Sequence, residues 1–235
     1  MSQPTDELRL RDGVSDFTAA ADMQRRWAQR VRHTPLPVKI RTVGGADAVF
    51  PSRSGVCLAG IVILSFPDLQ PLQRVWATAE LKTPYVPGFL SFREAPAVFA
   101  AADQLDQLPD VLFIDGQGLA HPRRFGLACH IGLALDLPTI GCGKSRLIGT
   151  HETVGPEKGS RRDLRHQDQV IGTALRTRSN CREIYISVGH RCTLDDAIDL
   201  TLCCTPRYRV PEPTRQADKW VALKRQEFID TPPAS

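Results

Sequence analysis

The apolar positions of this chain change period several times, and the sharpest change lies between Asp110 and Lys144, DVLFIDGQGLAHPRRFGLACHIGLALDLPTIGCGK. An unbroken apolar run, Val111 to Ile114, stops on Asp115, and Gly116, Gly118, His121, Arg123 and Arg124 follow. A short apolar run bounded by turn residues predicts a buried strand. Phe125 to Asp136 then carries apolar residues at helical spacing, and Pro138 to Ile140 predicts a second short strand whose glycines, Gly141 and Gly143, present Lys144. Two strands thus each end in glycines and one ionisable residue, an acid on the first and a lysine on the second. The carboxyl edge of such strands is where α/β sheets place chemistry. An Asp in that position also serves as a helix cap or turn former.

The same reading extends both ways. Residues 1–15 are polar and predict a loose tail. Phe17 to Val31 reads as an amphipathic helix capped by Ser15 or Asp16 and ended by Pro35 and Pro37. Lys39 to Phe50, Val56 to Phe66 and Gln73 to Leu81 predict three strands with short turns, an antiparallel meander. A helix is predicted from Glu94 to about Gln107, an exposed loop over 150–167, strands at Gln169 to Arg176 and Arg182 to Val188, and a helix capped by Thr193 or Asp195 running to Cys203. A helix from Thr214 to Phe228 and a frayed tail, 231–235, close the chain. Residues 16–230 read as one domain, and 235 residues suffice for a sizeable core.

Composition sharpens this only a little. Hydrophobic content of 42% with 24% charged residues is ordinary for a globular protein, and the net charge of +4 is compatible with a phosphate-bearing partner without requiring one. Basic residues cluster at Arg25, Arg26, Arg30 and Arg32, at Arg123 and Arg124, and at Lys158, Arg161, Arg162 and Arg165. Any one cluster is explained by a solvated face, whereas three near a candidate site point to nucleic acid. Seven cysteines, without a CxxC pair, argue for a reducing compartment and against a disulfide framework or structural zinc. No secretory h-region and no apolar run of membrane-spanning length is visible, so a cytoplasmic location is expected; a monomer is also expected.

Three acids fall at informative places. Asp47 sits inside the first strand of the meander, where an unpaired carboxylate is expensive to bury; it either faces solvent or enters a metal site. Glu94 opens a helix, which the helix dipole alone would favour. Asp115 ends the strand described above. Hard divalent cations take oxygen ligands, and Mg²⁺ takes one or two carboxylates together with water and substrate phosphate. Lys144 could hold a phosphate or an attacking water. His190, in the turn Gly189-His190-Arg191, could transfer protons or serve only as a turn residue. The loop PYVPG carries Tyr85 and Val86 between Pro84 and Pro87. It suits a wedge between bases or a ring packed onto the core, and the residues alone favour the latter.

The order meander, helix, strand, helix, strand resembles the ribonuclease H-like pattern: α/β, a central mixed sheet with a three-strand antiparallel meander, flanked by helices. The stretches PYVPGFLSFRE, FIDGQGLAHPRRFGLA, LPTIGCGKSRL and SVGHRCTLDDA resemble the motifs of the endonuclease V family over roughly Gly44 to Leu202. That resemblance implies a metal-dependent repair endonuclease that recognises deoxyinosine and hydrolyses the second phosphodiester bond on its 3′ side, leaving 3′-hydroxyl and 5′-phosphate ends. It implies metal-site acids at Asp47, Glu94 and Asp115, a catalytic lysine and histidine at Lys144 and His190, and a strand-separating wedge at Pro84, Tyr85, Val86 and Pro87. It also implies a base pocket at Gly88, Leu90, Gly116 and His121, with Mg²⁺ as cofactor and Mn²⁺ as its substitute. The expected partner is DNA containing deoxyinosine, with inosine-containing RNA as the alternative. Two rivals share the fold: a catalytically quiet nucleic-acid-binding module, which would be expected to lack an acid, and a nuclease of junctions or hybrids, which would not need PYVPG. Where the family more often has Val-Ala before the lysine, this chain has Cys142-Gly143, and the extra glycine is expected to loosen Lys144.

Overall fold

The computed structural model describes residues 7–9, 13–52 and 54–230. Eight strands form one mixed sheet: β1 Thr42–Val49, β2 Val56–Ser65, β3 Pro71–Glu80, β4 Val111–Ile114, β5 Thr139–Gly143, β6 Arg161–His166, β7 Gln169–Leu175 and β8 Ile184–His190. Their order is β3-β2-β1-β4-β5-β8-β7-β6. β1, β4 and β5 run parallel, and every other pairing is antiparallel. The α-helices are α1 Phe17–Ala28, α2 Ser91–Ala102, α3 Leu127–Leu135, α4 Leu194–Cys203 and α5 Glu212–Asp230.

The period of two along each strand sorts these helices into two layers. Cys57, Ala59, Ile61 and Ile63 of β2 pack with Trp27, Phe92 and Ile131 from α1, α2 and α3. Val62 and Leu64 of the same strand face the other way, towards Ile198 and Leu200 of α4 and Ala217 of α5. Asp16 is the residue that caps α1, accepting from the Thr18 and Ala19 amides at 2.9 and 3.1 Å. Thr193 caps α4 in a reciprocal box with Asp196. Among the described residues no helix is long and apolar enough to cross a membrane.

Three expectations change. The stretch 150–167 is not all loop, because Arg161–His166 forms the edge strand β6, whose charged residues disguise it; only Leu164 of the six is buried. Charge on an exposed edge also discourages pairing with other chains. Residues 7–9 of the expected loose tail form a 3₁₀ turn, with Leu8 fully buried and its carbonyl 2.7 Å from His130 Nε2; the remainder of 1–12 and the tail 231–235 lie outside the described residues. Finally, α2 starts at Ser91, which places Glu94 at the end of its first turn rather than at its start.

Candidate active site

The parallel register of β1 and β4 pairs Ala46 with Ile114, and the Asp115 amide donates to the Ala46 carbonyl at 3.1 Å. Asp47 and Asp115 therefore lie side by side at the carboxyl edge of the sheet. The third acid arrives by packing. Gly45 of β1 and Gly60, the cross-strand partner of Asp47, have no side chain to hold α5 away. A Cβ on Gly45 would lie 2.0 Å from the Pro213 carbonyl oxygen, and one on Gly60 would lie 2.8 Å from Val221. The helix presses onto this bare strip and carries Asp218 over the pair. One carboxylate oxygen from each of Asp47, Asp115 and Asp218 lies within 4.8 Å of the others. Lys144, at the end of β5, closes the group with its ammonium 2.5 Å from Asp115 and 3.5 Å from Asp218.

Electrostatically the group carries more negative charge than the single ammonium of Lys144 offsets. Burial, then the neighbouring Asp115, pushes the Asp47 carboxyl up to about 7. Burial, then Asp47 and Asp115, pushes Glu94 up to about 8. Asp115 is also raised, because burial outweighs its bond to Lys144. Partly buried carboxylates this close remain ionised together only if a further cation joins them. Three convergent carboxylate oxygens, with no thiolate or imidazole among them, suit a hard divalent ion. Glu94 is not one of those three. It enters from α2 on the opposite layer, where the charges of Asp47 and Asp115 raise its own pKa.

Beside the acids lies a cavity of about 330 Å³, whose lining includes Tyr85, Gly88, Leu90, Gly116, His121 and Lys144. The Gly88 carbonyl on its wall accepts from His121 Nε2 at 2.9 Å, from Arg123 Nη2 at 2.6 Å and from Gln24 Nε2 at 3.3 Å. The Arg123 amide donates to His121 Nδ1 at 3.2 Å, so the proton of that ring resides on Nε2. Burial, then the charge of Arg123, lowers His121 to about 4 and keeps it neutral. Tyr85 is 64% exposed at the rim, which excludes the reading in which it packs onto the core. Arg93 braces its loop, donating to the Thr83 carbonyl at 3.1 Å with its guanidinium 4.8 Å from the Phe50 ring centroid and 5.9 Å from that of Tyr85.

The residues singled out by sequence thus divide. Asp47, Glu94, Asp115 and Lys144 meet, and Gly88, Leu90, Gly116, His121, Tyr85 and Pro87 line the adjoining cavity. Pro84 and Val86 belong to the same rim loop, Pro84 exposed and Val86 half-buried. His190 does not join them. β8 is antiparallel to β5 and pairs His190 with Thr139, at the far end of the strand from Lys144, about 15 Å away at a strand rise near 3.3 Å. There His190 is fully buried, accepts from the Arg32 amide at 3.2 Å and lies 3.3 Å from Asp136. The basic clusters separate too. Arg32 pairs with Asp136, and Arg161, Arg162 and Arg165 lie on the edge strand β6, paired with Asp195, Glu152 and Asp163. Gly143 does not loosen Lys144: it leaves room for the Gln117 amide, which donates to the Ser145 carbonyl at 3.0 Å and ties that loop down.

Two residues of the site escaped the sequence reading. Asp218 lies in a helix with no glycine turn to mark it, although Thr214, Ala217 and Val221 trace a buried seam beside it. Gln24 occupies a core position of α1 between Ala20 and Trp27, and a fully buried amide on an apolar face was the available signal.

Carboxylates and a lysine gathered at the strand ends of a ribonuclease H-like sheet, next to a cavity of about 330 Å³, define a phosphodiester-cleaving nuclease. The family model for Endonuclease V matches residues 25–219, and the chain belongs to the endonuclease V family; it is an endonuclease. It is similar to endonuclease V of Roseiflexus castenholzii, with 52% identity over 179 residues, 76% of this chain and 80% of the relative. Among solved structures it is similar to endonuclease V of Streptomyces avermitilis, with 38% identity, a TM-score of 0.88 and coverage of 92% of this chain and 96% of that one. It shares its fold with Ciona intestinalis endonuclease V, crystallised with a 24mer DNA containing an inosine followed by a ribo-adenosine; identity is 24%, the TM-score 0.76, and coverage 90% of this chain and 98% of that one.

Proposed function

We propose that this endonuclease binds deoxyinosine in DNA and, with Mg²⁺ or in its place Mn²⁺, hydrolyses the second phosphodiester bond on the 3′ side, leaving 3′-hydroxyl and 5′-phosphate ends. The observation that carries the reading is the union of acid cluster and cavity, since Asp115, Glu94 and Lys144 line the same wall as Gly88 and His121. Asp47, Asp115 and Asp218 would hold the ion. Such an ion lowers the pKa of bound water and neutralises charge developing on the phosphate. Lys144 fixes the Asp115 carboxylate and offers its remaining protons to a phosphate oxygen or the incoming water. Glu94, protonated near neutrality, limits the negative charge behind Asp47. His190 takes no part in this chemistry.

Recognition follows from the neutral His121 and the backbone groups about it. Hypoxanthine differs from adenine by its 6-oxo group and protonated N1, an edge that backbone amides and carbonyls can read. A deaminated base is mispaired, so extruding it costs less than extruding a normal one. Tyr85, between Pro84 and Pro87 with Val86 anchoring the loop, fills the gap left behind. The Ciona protein's inosine-bearing DNA supports this substrate, and RNA bearing inosine is the variant substrate. We place the enzyme as a cytoplasmic monomer with residues 16–230 as its catalytic domain.

The test is cleavage of end-labelled DNA with one inosine, in Mg²⁺ and in EDTA, beside RNA of matched sequence. Metal-dependent cutting one nucleotide beyond the inosine is expected, lost in Asp47→Asn and Asp115→Asn while binding in Ca²⁺ persists. Cutting indifferent to inosine would discard the base pocket, and undiminished cutting by Asp115→Asn would discard the metal assignment.

A further inference from the structure

The segment Arg207-Tyr208-Arg209 leads into α5, the helix that delivers Asp218 to the acid cluster. Tyr208 is 39% exposed and belongs to none of the hydrophobic core clusters. It is nevertheless held firmly. The Arg215 guanidinium stacks 4.3 Å from its ring centroid, and that of Arg207 lies at 5.4 Å. Glu212 fixes Arg215 through both carboxylate oxygens, one accepting from Arg215 Nε at 2.7 Å, and Gln216 Nε2 donates to the other at 2.7 Å. The backbone is tied as well: the Thr177 hydroxyl donates to the Arg209 carbonyl, Arg209 Nη1 donates to the Glu183 carbonyl at 3.2 Å, and Lys158 Nζ donates to the Thr205 carbonyl at 2.8 Å.

We infer that Tyr208, supported by Arg215 and flanked by Arg207, is a stacking platform for a base of the single strand that flanks the cleavage site. The inference rests on the nuclease reading given above. Arg215 and Asp218 are three residues apart on α5, so they share a helix face and lie about 4.5 Å apart along its axis. A strand whose scissile phosphate sits at Asp218 and Lys144 therefore passes this ring. An exposed aromatic ring interleaved with arginines is the pairing that single strands use: the ring takes a base face of any identity, and a guanidinium takes the adjoining phosphate. The Glu212–Arg215 pair leaves Glu212 neutralised and the guanidinium plane oriented, so the surface is set before a strand arrives. Arg207, exposed and without a salt bridge among the described residues, supplies the charge for that phosphate.

Fluorescence anisotropy in EDTA, where hydrolysis does not compete, tests this with single-stranded DNA of about 20 nucleotides containing either one inosine or adenine in its place. Tyr208→Ala is expected to weaken binding of both oligonucleotides about 5- to 150-fold, the range for removing one base–aromatic stack, and Tyr208→Phe is expected to bind within about twofold of wild type. Arg207→Gln, a surface change that leaves the core intact, is expected to reduce the slope of log affinity against log salt by about 0.7. Wild-type affinity in Tyr208→Ala, an equal loss in Tyr208→Phe, or an unchanged salt slope in Arg207→Gln would each overturn the platform. Failure of wild type to prefer inosine would count against the base pocket instead, since the Tyr208 comparison is read on either oligonucleotide.

Discussion

The Lys144 ammonium lies 2.5 Å from the Asp115 carboxylate, closing the acid cluster with its own cation. Burial works against the charge on Lys144, yet Asp115, with Asp218 and Asp47 behind it, holds the ammonium pKa above its usual value. It is therefore a fixed charge, suited to stabilising an oxyanion rather than taking a proton. Lys144→Met is expected to lower the single-turnover cleavage rate about 10²- to 10³-fold, the cost of removing one preorganised donor, while binding of the inosine-bearing strand is retained. A rate within a few-fold of wild type would remove Lys144 from the chemistry.

Without metal, the acid cluster makes stability depend on pH in a definite direction. Asp47 and Glu94 titrate at about 7 and about 8 when folded, above ordinary values of 3.8 and 4.5, so the folded state binds more protons across that interval and stability falls as pH rises. His121 and His130, both lowered by burial to about 4 from 6.5, act oppositely, adding stability as pH rises to 6.5. Above about pH 6.5 only the acids remain. Melting in EDTA is therefore expected at progressively lower temperature from about pH 6.5 to about pH 8, and saturating Mg²⁺ should abolish the decline. A melting temperature rising across that window, or one unmoved by Mg²⁺, would contradict the cluster's role as a cation site.

Gly45 has its consequence at Asp218. In Gly45→Ala the new methyl meets the Pro213 carbonyl, so the first turn of α5 must move outward and carry Asp218 away from Asp47. The Mg²⁺ concentration for half-maximal cleavage is expected to rise roughly tenfold, the effect of a displaced ligand or its support, with cleavage partly restored at high Mg²⁺. An unchanged Mg²⁺ dependence in a correctly folded variant would show that α5 does not deliver a ligand.

The legible parts of this site are those that local chain geometry determines. Asp115 and Lys144 stood out because an apolar run and a glycine turn mark a strand end, and Asp47 because a carboxylate interrupts a strand that should be buried. Glu94 was found, but its place at the end of the first turn of α2, outside the three converging oxygens, depends on how that helix docks. Asp218 and Gln24 act only through the docking of α5 and α1, which no local pattern encodes. His190 shows the complementary error. It does end a strand, but the pattern does not say which way the strand runs, and β8 is antiparallel, so its end lies opposite the acids beside Asp136. The strand β6 was missed because an edge needs only one buried residue.

Tyr85 offers the clearest separation of binding from strand opening. Its ring is exposed, its loop is stiffened by Pro84 and Pro87, and Arg93 supports it from behind, so the loop keeps its shape when the ring is removed. In a duplex, filling the gap beside an extruded base offsets the unstacking cost of a few kcal/mol. In a single strand there is little stacking to replace. Tyr85→Ala is thus expected to weaken cleavage of duplex inosine DNA at least about tenfold more than that of the same strand unpaired, a difference of about 1.4 kcal/mol. Paired single-turnover assays on the two substrates read that ratio directly. Equal losses on both would mean that Tyr85 touches the base or phosphate itself and that some other residue holds the duplex open.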